Sequence, residues 1–508
     1  MKPKKPASPP PRFEEIELKL ALPTADPSSL AQRLASVPAL KRHKATKEHL
    51  HSVYYDTPEQ RLRQQRTALR IRRVGSANPV WIQTLKTGGR DDSALSQRGE
   101  WESPVPDASL SFGALKATPW PTIDPDGTLF LSLAPCFVTR FERTAWLVRQ
   151  RDSSVVEVAL DIGQIEADGK VTPLCELELE LKSGPRAGLF NLAHKIARSM
   201  AVLPSTMSKA ERGFALAQDA LNRPRHAQTQ ELDPKQPLPQ TAQCVLREMF
   251  HQFTANLNAL RASDDPELVH QARIGWRRFQ SARRLFGPVL VRESMPAWQP
   301  LQALLRSLGT LRDLDVARTE TLPPLAQAYC AGERQRTQAW QAMTLTLADA
   351  CTRQRQLVRD ALLVPQVGTS LLDTTEWLEE PFPSKDADAG RLAPQISLPK
   401  WADRRISRLS EKLQQTLADT SLPDQQHRVR LLAKRLRYGV EVLHAQLPPR
   451  HAQHWHQQAS HLQLSLGAAR DVAQASVLLA RLPVDPSLVE FLRGLAQGQA
   501  MSPRHPVK

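Results

Sequence analysis

Cysteine and aromatic residues are scarce in this 508-residue sequence. The five cysteines are odd in number and widely scattered: Cys136, Cys175, Cys244, Cys330 and Cys351. This pattern excludes a framework of paired disulfides and a zinc site of closely spaced thiols, and it predicts reduced thiols in a cytoplasmic protein. Aromatic residues form only 5% of the chain and do not alternate regularly with basic ones, so platforms for stacking nucleic-acid bases are scarce.

Long apolar runs are absent as well. No stretch approaches the roughly 20 apolar residues that a membrane-spanning helix needs. The beginning of the chain, MKPKKPASPPPR, is basic and proline-rich and lacks the apolar segment of a secretion signal. The phosphate-loop pattern G-x-x-x-x-G-K-[ST] is also missing, which excludes that class of nucleotide hydrolase. We therefore expect a cytoplasmic protein that has no membrane partner.

Positive charge, by contrast, is abundant. The sequence contains 68 Lys and Arg residues against 52 Asp and Glu residues, which gives a formal net charge of +16. A surplus of this size favours anionic partners such as phosphates, nucleic acid or acidic membrane surfaces, without distinguishing between them. The length of the chain predicts two or three domains rather than one.

The chain contains two regions with different sequence patterns. Residues 12–218 contain short alternating runs separated by turn residues, which predict β-strands. Residues 240–498 are rich in Leu, Ala, Gln and Arg at helical spacing. The polar, proline-containing residues 219–239 between them have the composition of a linker. The predicted fold class is therefore multidomain α+β.

The helical part is itself divided. Residues 365–399 are rich in Pro, Gly, Ser and Asp and predict a long connection with one short helix near residues 371–380. This connection would separate two halves, roughly residues 240–362 and 400–498.

Charged and apolar residues alternate in four of the predicted strands. Residues two apart share one face of a strand, so the charged residues of each run lie together. The sets that share a face are Glu15, Glu17 and Lys19; Arg70 and Arg72; Glu100 and Glu102; and Glu176, Glu178 and Glu180. Each run alone is typical of an amphipathic strand whose charges lie in water. Four such runs instead favour a barrel with a charged lumen, where carboxylates can hold a divalent metal and cations can hold phosphate oxygens.

These runs belong to an ordered set of motifs that resembles the CYTH superfamily of triphosphate tunnel enzymes. The motifs are E-x-E-x-K at 15–19, YYDT at 54–57, LRIR at 69–72, TLK at 84–86, the Glu100–Glu102 pair, R-x-x-W at 143–146, ALD ending at Asp161, CELELELK at 175–182, and SKAERG with Lys209 and Arg212. The resemblance covers roughly residues 12–218. It implies an antiparallel eight-stranded barrel that is open as a tunnel, with an apolar outer face covered by helices such as one near residues 189–200.

The resemblance also implies cleavage or cyclisation of triphosphates with Mg²⁺ or Mn²⁺ as cofactor. The residues that would bind the phosphate chain are Lys19, Arg70, Arg72, Lys86, Arg143 and Lys209. The residues that would bind metal or orient the attacking water are Glu15, Glu17, Glu100, Glu102, Asp161, Glu176 and Glu178. The catalytic residues among them would be Glu15, Glu17, Lys19 and Glu102. Weaker candidates are Glu180 at the rim, Arg140 and Arg212.

Two further features of this half admit two interpretations each. Gly88 and Gly89 in KTGGR predict a hairpin loop, with substrate gating as the alternative. Tyr54 and Tyr55 predict packing in the core or at the rim, with contact to a nucleotide base as the alternative.

The helical half repeats one pattern. The segments that begin at His270 and His427 both read H-x-x-R-x-x-x-[RK]-R, and SLGTLRD and SLGAARD follow them at nearly equal distances. This recurrence indicates an internal duplication of a helical unit. Residues i, i+3 and i+7 share a stripe of a helix, which aligns two basic sets: His270, Arg273 and Arg277, and His427, Arg430 and Lys434.

A single stripe of this kind is typical of a solvated helix face, whereas two at matching positions favour a basic groove. The aspartates of the two R-D pairs, Asp313 and Asp471, would then pair with cations of the stripes. A metal site at the histidines is disfavoured, because no second His lies four residues after His270 or His427.

This half resembles the CHAD domain over about residues 240–498. The resemblance implies a pair of all-α helical bundles related by pseudo-twofold symmetry, in which the two basic sets bind inorganic polyphosphate. It also implies association with polyphosphate granules. A CHAD domain often follows a CYTH domain on one chain, so the two resemblances support each other.

The sequence therefore predicts metal-dependent hydrolysis of inorganic triphosphate to pyrophosphate and phosphate. Thiamine triphosphatase and class IV adenylate cyclase activities stay open, because those relatives share the phosphate ligands. A non-catalytic polyphosphate-binding protein is disfavoured, since an anion binder gains nothing from the many acidic groups of the site unless metal fills them. Nucleic-acid binding is permitted by the net charge and disfavoured by the scarcity of aromatic residues.

Overall fold

The computed structural model describes residues 14–23, 26–75, 78–89, 92–290, 295–382, 396–418, 423–465 and 468–501. Within these ranges, the side chains that are not described are those of residues 423–427, 464–465, 468–470 and 499–501. The basic beginning of the chain lies outside the described residues. The described residues form two compact units. The first unit contains the residues up to Arg223 together with Leu362–Glu379, and the second contains Pro224–Ala361 and the residues from Glu380 onward.

The first unit is built on an antiparallel β-barrel. Its strands are β1 Glu14–Ala21, β2 Ala45–Asp56, β3 Thr67–Val74, β4 Val80–Thr87, β5 Leu95–Val105, β6 Ala134–Arg149, β7 Val155–Ala167, β8 Lys170–Ser183 and β9 Leu203–Pro204. Neighbouring strands follow the order β5-β4-β3-β2-β6-β7-β8-β1, and β1 also pairs with β5. This last pairing closes the sheet, so the predicted eight-stranded antiparallel barrel is confirmed. The short strand β9 adds to β1.

Helices surround the barrel and form the second unit. They are α1 Leu30–Ser36, α2 Arg61–Gln64, α3 Phe112–Leu115, α4 Trp120–Ile123, α5 Thr128–Leu131, α6 Ala187–Ala197, α7 Lys209–Ala217, α8 Leu238–Ala259, α9 Pro266–Leu285, α10 Gln302–Val316, α11 Ala326–Cys330, α12 Arg334–Leu362, α13 Pro365–Glu379, α14 Leu398–Ala418, α15 Pro423–Leu443, α16 Pro449–Ser465, α17 Ala468–Leu479 and α18 Pro486–Met501.

The apolar outer face of the barrel is buried beneath helices. Leu18 and Leu20 of β1 are fully buried and belong to one core with Leu189, Leu192 and Ile196 of α6. Helix α6 therefore takes the covering position predicted for a helix near residues 189–200. Because the apolar residues of each strand point outward into this core, the alternating charged residues must point inward.

Helix α13 also belongs to the first unit, although it follows α12 in the sequence. Its Leu372 is fully buried in the core of the barrel. A Cβ atom at Gly368 would come within 2.2 Å of the carbonyl oxygen of Val202, so the two backbones are in direct contact there. The sequence predicted a connection over residues 365–399, of which residues 383–395 lie outside the described part. Within that range the sequence predicted one short helix near residues 371–380, and the structure contains α13, which begins earlier, at Pro365, and ends at Glu379.

The second unit is mostly helical, as predicted. Helix α8 packs against α9, α14 against α15, α15 against α16, and α17 against α18. The chain before α8 lies against this unit: Asn256 accepts a hydrogen bond from the amide of Arg225 and donates one to its carbonyl oxygen, and Gln446 donates to the carbonyl oxygen of Leu232. None of the described helices is both long and apolar enough to cross a membrane.

A buried polar network lies along helix α8. Glu248, His251, Gln252 and Asn256 are each at most 5% exposed. Nη2 of Arg225 lies 3.1 Å from Oε2 of Glu248. Burial, with the charge of Arg225 nearby, lowers the pKa of His251 to about 3, so the folded unit holds this imidazole neutral.

We expect the second unit to lose stability in mild acid because of His251. The unfolded chain binds a proton at this residue near its ordinary pKa of about 6.5, whereas the folded chain does so only near about 3. The free energy of unfolding should therefore fall as the pH decreases between these values, by about 1.4 kcal/mol per pH unit from this residue. Urea unfolding of full-length wild type and His251→Gln, followed by the helical circular dichroism signal across this range, measures the difference in slope. The exposed His454→Gln is the matched control, and equal slopes for wild type and His251→Gln would contradict the prediction.

Candidate active site in the barrel

The strand alternation gathers charged residues around a lumen of about 720 Å³. The sequence-predicted residues that line this lumen are Glu15, Glu17, Lys19, Arg70, Arg72, Lys86, Glu100, Glu102, Arg143, Glu178 and Lys209. Asp161 and Glu176 are buried in the barrel beside Lys209, with exposed fractions of 0% and 5%. The barrel therefore brings the residues of separate motifs into one enclosed space.

One cluster of carboxylates lies on β1. Oε2 of Glu15 lies 2.8 Å from Nε of Arg98, and its Oε1 lies 2.9 Å from Nζ of Lys86. Nη2 of Arg98 also lies 3.4 Å from Oε2 of Glu17. Burial alone would raise the pKa of Glu15, but Lys86, Arg98 and Lys19 together hold it well below its ordinary range.

Glu17 carries negative charge that its neighbours compensate only in part. Glu17 is 3% exposed, and its cationic partners are Lys19 and Arg98. Burial and the nearby Glu178 and Glu15 nevertheless raise the pKa of Glu17 to about 7. A divalent cation bound to its oxygens would relieve this repulsion, so Glu17 fits the role of a ligand for an oxygen-preferring metal ion.

A second cluster of carboxylates holds a lysine. Asp161, Glu176 and Glu178 each offer an oxygen, and these oxygens lie within 4.8 Å of one another. Nζ of Lys209 lies 2.7 Å from an oxygen of Asp161 and 2.7 Å from an oxygen of Glu178, and it also contacts Glu176. Nη2 of Arg143 lies 2.7 Å from both Asp161 and Glu178. Three carboxylates at this spacing can bind a metal, but the ammonium group of Lys209 fills the space between them.

Two arginines of β3, Arg70 and Arg72, face the lumen. Nη2 of Arg70 lies 3.6 Å from Oε1 of Glu100, and its Nη1 donates to the hydroxyl of Tyr54 at 3.2 Å. Burial, together with the neighbouring charges of Arg70 and Arg143, lowers the pKa of Arg72 to about 10. A polyanion bound between these guanidinium groups would relieve their mutual repulsion.

Comparison with known families identifies both halves of the chain. The family model of the CYTH domain matches residues 14–214, and that of the CHAD domain matches residues 244–480. The chain carries a CYTH domain followed by a CHAD domain. A curated inorganic triphosphatase from Haemophilus influenzae is 35% identical over 205 residues, which are 40% of this chain and 55% of that protein. The match to this relative therefore spans only about half of its length.

Two solved structures resemble parts of this CYTH–CHAD chain. A crystal structure of the CHAD domain from the plant Ricinus communis is 24% identical, and the match covers 56% of this chain and 93% of that one with a TM-score of 0.46. A putative adenylyl cyclase from Hippeastrum with a dominant triphosphatase activity is 19% identical, and the match covers 40% of this chain and 95% of that one with a TM-score of 0.29.

Three predicted residues of the CYTH domain lie at the edge of the lumen or outside it. Glu180 lies at the rim, where its Oε2 is 2.7 Å from Nζ of Lys182. Nη1 of Arg212 lies 3.5 Å from Glu176 and so touches the second cluster. Arg140 lies on the outer face of the barrel and contacts Glu166. The odd spacing of Arg140 from the inward-facing Arg143 puts the two side chains on opposite faces of β6.

Arg98 lines the lumen although no motif singles it out. It lies two residues before Glu100 on β5, so the alternation in R-G-E-W-E already places it on the same face. Tyr54 is 4% exposed and stacks on Phe137 with a centroid distance of 4.5 Å, while its hydroxyl reaches Arg70 in the lumen. Tyr54 thus combines core packing with support for a lumen cation.

In the CHAD domain, the first basic set lies on α9 and faces α10. Nη1 of Arg273 donates to a backbone carbonyl oxygen of α10 at 3.4 Å, and a Cβ atom at Gly309 would come within 2.9 Å of that nitrogen. Burial and the neighbouring Arg277 and Arg312 lower the pKa of Arg273 to about 10. Burial and Arg312 likewise lower the pKa of His270. Positive charge is therefore concentrated where α9 lies against α10.

The second basic set lies on α15. The side chain of His427 lies outside the described residues, while Arg430 and Lys434 are half-buried. Asp313 of the first R-D pair accepts a hydrogen bond from Gln474 at 3.3 Å and lies near enough to Arg273 to oppose the lowering of its pKa.

Proposed function

We propose that the CYTH domain hydrolyses inorganic triphosphate to pyrophosphate and phosphate, with Mg²⁺ or Mn²⁺ as cofactor. The observation that carries this proposal is that the same lumen contains two sites of incompletely balanced charge, one positive and one negative. Arg72 lies among cations whose repulsion a polyanion would relieve, and Glu17 lies among carboxylates whose repulsion a metal ion would relieve. The CYTH match and the 35%-identical inorganic triphosphatase support the same activity.

The chain's own cations bind and orient the substrate in this proposal. Inorganic triphosphate is a dense polyanion whose phosphorus atoms are shielded from a nucleophile by negative oxygens. The side chains that would neutralise those oxygens are Lys19, Arg70, Arg72, Lys86, Arg143 and Lys209. Because they project from several strands and one helix, they would fix the chain for in-line attack. The oxygen of water then bonds to a terminal phosphorus, the bridging P–O bond breaks, and pyrophosphate departs.

The two carboxylate clusters have different roles in this proposal. Glu15 and Glu17 would hold the metal ion, and Glu178, Glu100 and Glu102 are the further carboxylates that the lumen offers. A bound Mg²⁺ or Mn²⁺ supplies positive charge that offsets the oxygens of the substrate and of the lumen. Asp161 and Glu176 instead hold the ammonium group of Lys209 in place, so that its position against the phosphate chain is fixed before substrate binds.

A substrate panel with the full-length protein tests this activity. We expect kcat/KM for inorganic triphosphate to exceed that for thiamine triphosphate and ATP by at least about tenfold, because the lumen is lined mainly by charged groups and offers an organic group little to bind. Phosphate release should require Mg²⁺ or Mn²⁺ and stop on addition of a chelator. A preference for thiamine triphosphate, or conversion of ATP to cyclic AMP, would replace the proposal with one of the alternative activities. Absence of metal-dependent turnover with every substrate would refute catalysis.

We further propose that the CHAD domain binds inorganic polyphosphate along its basic sets. The supporting observation is the approach of Arg277 and Arg312 to His270 and Arg273, because burial and these two neighbouring charges lower the pKa of both His270 and Arg273. A long polyanion laid along these side chains would relieve this repulsion at several points at once.

Replacing Arg273 and Arg277 together by Gln in the full-length protein should weaken polyphosphate binding by about tenfold or more at low salt. Each removed cation should also reduce the slope of log K against log salt by about one. Titrations with polyphosphate over a salt series measure both quantities. Arg493→Gln is the control, because Arg493 is exposed on α18 and pairs with Glu490. Unchanged affinity in the double variant, or displacement of polyphosphate by an equal charge concentration of DNA, would contradict the proposal.

A further inference from the structure

The lumen continues into a second cavity at one end of the barrel. This cavity has a volume of about 350 Å³ and shares the side chains of Lys19, Lys86 and Arg98 with the main lumen. Gly88 and Gly89, which follow β4, form another part of its wall. Other lining residues come from α2, the start of β3, the start of β5 and α7. The cavity therefore opens at the end of the barrel where β1 and β4 end.

The charged residues among those that line this cavity are five cations and one carboxylate, and we call its opening the basic mouth. Arg63 and Arg66 belong to it in addition to the three shared cations. Nη1 of Arg63 donates to two neutral glutamine side chains at 2.7 and 2.9 Å, which leave its positive charge in place. Among the described residues that line the mouth, the carboxylate is Glu211, which accepts a hydrogen bond from the amide of Ser208 at 2.6 Å as part of the N-terminal cap of α7.

The main lumen reaches the opposite end of the barrel, where carboxylates prevail. Glu14 lies at the start of β1, Glu157 near the start of β7, and Glu180 near the end of β8. Lys182 is the cation among them, and its Nζ lies 2.7 Å from Glu180. In an antiparallel barrel these strand ends meet at the end away from the basic mouth. We call this end the carboxylate mouth.

The opposite charges of the two mouths create an electric field along the tunnel. A small anion set free in the lumen is repelled by Glu14, Glu157 and Glu180 and attracted towards Arg63 and Arg66. The passage between the two cavities is bounded by Lys19, Lys86 and Arg98, each of which is already held by a carboxylate of β1. Lys19, Lys86 and Arg98 therefore connect the cations of the lumen to Arg63 and Arg66.

From this arrangement we propose that the basic mouth binds orthophosphate as it leaves the lumen, so that this product departs at the end of the barrel opposite to the carboxylate mouth. The inference rests on the proposed triphosphate hydrolysis for its ligand. Gly88 and Gly89 then form part of a product port. Their φ angles of 70° and 96° lie in the left-handed region that favours glycine, so these two positions add no side chain to the wall.

Equilibrium dialysis with radiolabelled orthophosphate tests the basic mouth without any turnover. The full-length Arg63→Gln/Arg66→Gln double variant should bind orthophosphate at least about tenfold more weakly than wild type, since two cations of the site are gone. The Arg63→Lys/Arg66→Lys variant, which keeps both charges, should recover most of the affinity. Arg149→Gln, which removes an exposed arginine at the end of β6, is the control and should bind as wild type does.

Product inhibition supplies the second readout. If the port operates, the inhibition constant of orthophosphate in the triphosphate assay should rise by a similar factor in the double glutamine variant. Unchanged orthophosphate binding in that variant would overturn the proposal. So would a rise confined to KM for a longer linear polyphosphate, because the mouth would then receive the end of a substrate chain. A protein that binds orthophosphate at these arginines but hydrolyses no triphosphate would refute the proposed enzyme while leaving the binding site established.

Discussion

Replacing Lys209 by Met is expected to lower the free energy of unfolding of the CYTH domain by about 3–5 kcal/mol. The ammonium group lies between Asp161, Glu176 and Glu178, and methionine fills similar space without charge. Asp161 would then keep Arg143 as its cation, Glu178 would keep Arg143 and Lys19, and Glu176 would keep Arg212 at 3.5 Å. The three buried carboxylates would therefore lose the one cation that contacts all of them. Urea unfolding in the presence of chelator, combined with hydrogen exchange of β7 and β8, measures the loss within this domain.

Two companion variants identify the cause of that loss. Lys170→Met removes a lysine whose pair with Asp219 is at the surface, and it should change stability by less than about 1 kcal/mol. Adding Asp161→Asn to Lys209→Met should restore part of the lost stability, because it removes one of the unpaired charges. A Lys209→Met protein as stable as wild type would show that the second cluster does not depend on its lysine.

Changing Glu17 to Gln is expected to lower kcat/KM for triphosphate by at least about 100-fold, or about 2.7 kcal/mol of transition-state free energy. Glu17 lies in the cluster that fits the metal ion, and glutamine is a far weaker ligand for a hard cation. The metal concentration that gives half-maximal activity should rise at the same time. The free energy of unfolding should not fall. Without metal, Glu17→Gln should be at least as stable as wild type, because the substitution removes the repulsion from Glu178 and Glu15.

The opposite signs of these two effects separate a functional role from misfolding. Glu142→Gln is the matched control, since Glu142 lies outside the lumen on β6 and pairs with Lys47. That variant should keep the metal dependence and turnover of wild type. Metal-dependent turnover that is unchanged in Glu17→Gln would rule out Glu17 as a ligand.

The inward-facing residues could be predicted because a strand alternates strictly. Glu15, Glu17 and Lys19 follow one another at spacing two, with Leu18 and Leu20 on the other face, and one buried apolar side fixes the register. The same rule explains Arg140, whose odd spacing from Arg143 sends it outward, and Arg98, whose even spacing from Glu100 sends it inward. Strand alternation therefore predicts the orientation of both side chains, whereas the family motifs do not.

The pairing of charges could not be predicted, because it depends on which strands become neighbours. Closure of the barrel between β1 and β5 brings Arg98 against Glu15, and α7 carries Lys209 to carboxylates of β7 and β8. These contacts join residues far apart in sequence, and no local periodicity encodes them. The alternation of β7 and β8 could therefore indicate that Asp161 and Glu176 face inward, but not that Lys209 lies against both of them.

Helix α13 sets an order in which the chain can be completed during synthesis. The ribosome finishes β8 long before it reaches Leu372, so the nascent barrel has a gap in its outer core while helices α8 to α12 emerge. A gene cut short after Arg223 would encode strands with an apolar strip left bare to solvent and to neighbouring chains. Neither unit is a continuous stretch of sequence. An arrest of translation between Pro224 and Leu362 would therefore leave both units unfinished.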